Sequence, residues 1–72
     1  MPSPACFDLK ALRRAAIDHG DTSAAAIARR LGMPYGTVIR WTSGRAAPSG
    51  PALAAIERAY GLTPAQLYPA DA

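Results

Sequence analysis

The sequence predicts an all-α fold, a compact bundle of about five short helices containing a helix-turn-helix. Three observations predict it. Apolar residues recur at helical spacing in successive segments. Glycines stand where these segments end, and capping residues or prolines where several of them begin. No stretch alternates apolar and polar residues as a half-buried strand does, and no repeat or low-complexity tract appears.

The 72 residues read as one domain with a small core, spanning 1–72. Half of them are apolar, but many are alanines, so the helices must pack closely. Residues 1–6, with Pro2 and Pro4, read as a loose arm without a basic side chain. Asp8 is suited to cap a first helix of roughly Leu9 to His19. Phe7 is placed to staple onto Leu12. Leu9, Leu12 and Ala16 make the inward stripe, while Lys10, Arg13 and Arg14 face outward. Gly20 ends the helix, and His19 in its last turn suits the helix C-terminus.

Residues 23–44 form the centre of the pattern. Ala24, Ile27, Ala28 and Leu31 share one face of a second helix, with Ala25, Ala26, Arg29 and Arg30 outward. Asp21, Thr22 and Ser23 all qualify as its cap. Gly32 ends it, and a third helix runs from about Pro34 to Ser43 before Gly44. Val38 and Trp41, three apart, point inward. For Trp41 this favours core packing over stacking on a base. Two helices bent across such a turn place the second where it can enter a DNA major groove.

Residues 46–50 are a loop, and Pro51 suits the first position of a fourth helix reaching about Tyr60. Its stripe is Leu53, Ile56 and Tyr60, and Gly61 closes it. Thr63-Pro64-Ala65-Gln66 is a capping box with proline in the first helical position. Leu62 and Leu67 are placed as a second staple, and Pro69 prevents extension.

Charge is unevenly distributed. Between Thr22 and Ile56 there are four arginines (Arg29, Arg30, Arg40, Arg45) and no acid, while the remainder carries −1 of the net +3. A basic footprint on a helix-turn-helix suits a polyanion. The acids show no evident pairing. One histidine and one cysteine provide no metal set, and no nucleophile-base array or phosphate loop is visible. An enzyme, a cofactor and a small-molecule ligand are therefore not expected. Cys6 is alone, which excludes an internal disulfide and fits a reducing cytoplasm. No apolar run of about 18 residues offers a membrane span, and no signal peptide is visible.

The ordered set Ile27-Ala28, Leu31-Gly32-Met33, Thr37-Val38, Arg40-Trp41, Gly44-Arg45 and Pro48-Ser49 resembles the phage repressor and Cro type helix-turn-helix family. The resemblance runs from Leu9 to Leu67 and implies a lambda-repressor-like DNA-binding domain. It selects Ser23 as the cap of the second helix. It places Tyr35, Gly36, Thr37 and Arg40 near base edges, and Ser23, Ala24, Ser43 and Arg45 near the DNA backbone. Arginine can bond guanine in a bidentate way, and threonine can touch a thymine methyl. Ala24 stands where the family often has a glutamine, and Pro34 where it usually has a capping Ser or Thr. Gly36 either permits close approach to the duplex or is tolerated near the helix start.

The resemblance also implies a homodimer on double-stranded DNA with a palindromic operator, and Leu62, Leu67 and Tyr68 as partner-facing residues. Covering the base of the core is the other role open to these three. The expected function is a sequence-specific transcription regulator, a repressor of the phage or mobile-element kind. An antitoxin or similar protein-interaction module is the alternative.

Overall fold

The computed structural model describes residues 7–68. The loose arm read at residues 1–6 and the stop assigned to Pro69 lie outside them. Five helices follow one another: α1 (Leu9–Asp18), α2 (Ala24–Leu31), α3 (Tyr35–Thr42), α4 (Pro51–Tyr60) and α5 (Pro64–Leu67).

Local chemistry sets each boundary. The Asp8 carboxylate accepts from the Ala11 N–H at 3.1 Å, satisfying one of the amide groups that a helix start leaves unpaired. Ser23 caps α2 in the same way through Ala26 N–H, also at 3.1 Å. Thr63 and Gln66 make the reciprocal box on α5: Thr63 N–H donates to Gln66 Oε1 at 2.8 Å, and Gln66 N–H to Thr63 Oγ1 at 3.3 Å. Pro34 gives α3 no side-chain cap. The α2–α3 turn depends on Gly32, whose φ of 70° lies in the left-handed region that a side chain disfavours. α1 stops at Asp18, one residue short of the expected end. His19 becomes its C-cap, with Nδ1 2.9 Å from the Ala15 carbonyl oxygen.

The core is built where the apolar stripes meet. Leu12, Val38, Ile56 and Leu67 are fully enclosed, with Ala16, Ile27, Ala28, Leu31, Trp41, Ala52, Ala55 and Tyr60 around them. Burying a large aliphatic side chain contributes about 1.5–3 kcal/mol, so these few residues dominate the stability of so small a domain. α2 packs against both α3 and α4, while α5 closes the far side against α1. Small residues on three helices are part of the core: Ala16 on α1, Ala28 on α2, and Ala52 and Ala55 on α4 are all buried. On α4 the inward face is Ala52, Ala55, Ile56 and Tyr60, and Leu53 is only partly buried beside it. Leu9 is likewise half-buried rather than part of the enclosed core.

One expectation is corrected here. Leu67 does not face a partner. It is completely enclosed, because the short α5 turns it under α1, where its carbonyl accepts from Asp8 N–H at 2.7 Å. Leu62 and Tyr68 lie against the same core but stay partly exposed. The Tyr68 hydroxyl donates to the Pro48 carbonyl at 2.7 Å, and its ring lies 5.8 Å from that of Phe7. No helix among the described residues is long and apolar enough to cross a membrane.

Candidate nucleic-acid interface

α3 is clamped on one side and bare on the other. Val38 is fully enclosed and Trp41 is 3 % exposed, so the inward reading of Trp41 holds and its ring is not available to stack on a base. At 3.6 residues per turn, Gly36, Ile39, Arg40 and Ser43 then fall on the opposite side. Tyr35 and Thr37 flank them. Tyr35 is 56 % exposed. Gly36 and Arg40 are exposed and Thr37 is half-buried.

Ile39 was not among the candidates from the sequence. It lies between Tyr35, Gly36 and Ser43 on the outward side and is half-buried. The signal was present in the spacing, since 36, 39, 40 and 43 are one helical face.

Around Gly36 there is open space: a Cβ built there would meet nothing within 4 Å. No packing against the protein explains the missing side chain.

The backbone-facing candidates take three different positions. Ser23 already uses its oxygen as the α2 cap. Ala24 is half-buried against the core and lines a groove of about 300 Å³ with Ser23, Thr22, Thr42 and Arg13. Ser43 and Arg45 are both exposed just beyond α3. The Ser43 hydroxyl donates to the Arg40 carbonyl at 3.3 Å, and Arg45 N–H donates to the same carbonyl at 2.8 Å. That shared acceptor fixes the turn after α3 relative to Arg40.

The electrostatics differ from the charge count in one respect. Asp21, outside the basic stretch, pairs with Arg30 within it. Its carboxylate also accepts from the Tyr60 hydroxyl at 2.8 Å, and Arg30 Nη2 donates to the His19 carbonyl at 3.3 Å. The guanidinium lies 5.8 Å from the centre of the Tyr60 ring, which meets the His19 ring edge-on at 5.3 Å.

The Arg30 guanidinium and then the Tyr60 hydroxyl hold the Asp21 carboxyl below its usual range. The same pairing raises Arg30. Burial, and then the bond to Asp21, pushes the Tyr60 phenol up, and burial alone raises that of Tyr68. Arg30 is thus committed within the fold. Arg29, Arg40 and Arg45 make no ion pair among the described residues.

A model of the helix-turn-helix family matches residues 9–67, which takes in α1 through α5. No curated protein and no solved structure gives a significant match. The match covers well over half of the chain, and the family is one of DNA-binding regulatory domains that are not typically enzymatic. The chain therefore belongs to the Cro/C1-type helix-turn-helix family.

Proposed function

We propose that this chain is a sequence-specific repressor of the phage or mobile-element kind, working in the cytoplasm as a homodimer on a palindromic operator. The observation that carries the reading is the two-sidedness of α3. Val38 and Trp41 hold it rigidly to the body, while Tyr35, Gly36 and Arg40 project from the free side.

In this reading α3 lies in the major groove. Arg40 bonds a guanine edge, Thr37 contacts a thymine methyl or base edge, and Tyr35 bonds or stacks at the margin. Gly36 lets the backbone approach the base pairs. The start of α2 at Ser23 and Ala24 meets a phosphate, and Ser43 and Arg45 meet the backbone on the other side. Two reading helices in a twofold dimer sit about 34 Å apart, one turn of DNA. Leu62 and Tyr68, partly exposed at the α4–α5 end, are the residues of the original three still free to meet a partner. Repression follows from occupying a promoter.

Selection of bound duplexes from a random pool, at near-physiological salt, tests this directly. An enriched inverted repeat is expected. A single enriched half-site would replace the dimer by a monomer. Binding without enrichment that weakens steeply with salt would mean backbone contact alone. Absence of binding would overturn the reading.

A further inference from the structure

We infer that the outward face of α1 is a second DNA-backbone contact surface, with Lys10, Arg13 and Arg14 continuing the phosphate track that begins at α2. This rests on the proposed reading of the chain as a DNA-binding regulator.

Arg13 is the link. It lines the groove that holds Ser23 and Ala24 at the start of α2 and Thr42 at the end of α3. It also lines an adjoining depression of about 280 Å³ with Lys10, Arg14, Ile17 and Asp18. The two hollows share Arg13 and Ile17, so the cations of α1 form a strip leading away from the helix-turn-helix.

The spacing 10, 13, 14, 17 puts all four residues on one face of the helix. Each is exposed, and none of the three cations makes an ion pair among the described residues. Asp18 is the one carboxylate lining the depression.

Like charges three and four residues apart on a helix repel one another. A fold can relieve this by pairing each cation internally, as it does for Arg30 with Asp21. Here it leaves three cations unpaired around Ile17, which is 60 % exposed. A duplex supplies what the strip lacks: phosphates at short, regular intervals, continuous with those proposed against Ser23 and Ala24. Long basic side chains can lie along Ile17 while their charged ends reach outward.

Arithmetic along the sequence conceals the strip. Outside residues 22–56 the acids outnumber the bases. Asp8 and Asp18 border Lys10 and Arg14 on the side towards Leu62, and Asp21, which lines the groove with Arg13, is paired with Arg30.

The test compares the wild-type chain, the triple variant K10Q/R13Q/R14Q and the control R58Q, which removes a charge from exposed α4. Each is titrated on the selected operator duplex and on a mixed-sequence duplex of the same length, at several salt concentrations. The slope of log K against log salt should become shallower by roughly 0.9 for each contact removed, up to about 2.7 for the triple variant. Affinity should fall by a similar factor on both duplexes, and base preference should stay as in wild type. R58Q should keep the wild-type slope.

A melting curve verifies that the triple variant is folded. If it is not, the single variant R14Q is expected to lower the slope by roughly 0.9. Wild-type slope and affinity in a folded α1 variant would overturn the inference and leave the regulator reading intact. The strip would then be available to an acidic protein partner. An equal drop in slope for R58Q would reduce the effect to net charge and likewise overturn it. Failure of the wild-type chain to bind either duplex would overturn the regulator reading itself.

Discussion

The Tyr60 hydroxyl donates to the Asp21 carboxylate at 2.8 Å across 39 residues of chain. Arg30 holds the same carboxylate from α2. One short side chain in the α1–α2 loop therefore joins the last turn of α2 to the last turn of α4.

This cluster predicts the pH profile. Asp21 has a folded pKa below its ordinary 3.8. Its stabilisation is therefore complete above that ordinary value and is lost as pH falls through the lower folded pKa. Tyr60 has a folded pKa above its ordinary 10.0, so its contribution is present below that value and fades as pH rises towards the folded pKa. Thermal melts across pH should show D21N losing the acid-dependent limb and Y60F losing the alkaline one. At neutral pH, Y60F is expected to melt roughly 5 °C below wild type. Unchanged limbs in both variants would show the cluster to be energetically idle.

Leu67 separates core from interface. L67A should lose about 2–5 kcal/mol of folding stability, a large part of the total for a small domain. The loss should appear in denaturant melts and be the same at high and low protein concentration. A loss confined to dilute samples would instead indicate that Leu67 works between subunits.

Gly36 separates stability from binding. G36A adds a methyl group into open space in a helix, and should stabilise the fold by about 0.5–1 kcal/mol. The same methyl group should weaken operator binding by obstructing close approach. A stabilised variant with full affinity would show that Gly36 has no part in the groove.

Arg40 tests base reading. R40A should lose about 1–3 kcal/mol on the preferred site and relax one base position in a repeat selection. An equal loss on every sequence would assign Arg40 to phosphate.

Much of the fold was legible because its signals are local. Ser23, Thr63-Gln66, Gly32 and Pro51 each mark a boundary through chemistry within a few residues. The Val38–Trp41 pair oriented α3 correctly for the same reason. What was not legible depends on contacts across the chain. Asp21 read as one of three interchangeable caps, because neither Arg30 nor Tyr60 is close to it in sequence. Leu67 could cover the core or meet a partner equally well until α5 was seen turned beneath α1. Ile39 follows from the helical register alone, which sets it outward beside Gly36, Arg40 and Ser43, half-buried. The basic side of α1 was visible residue by residue, but its continuity with the start of α2 required the tertiary arrangement.

The bond from Asp8 N–H to the Leu67 carbonyl brings the two ends of the helical array together. The order in which the helices are threaded is therefore separable from the way they pack. A circular permutant, with position 67 joined to position 8 by a short linker and the chain opened in the 46–50 loop, would preserve every helix. It would begin at α4 and end at α3, placing a new terminus beside the reading helix, where a fused segment could be carried to the DNA.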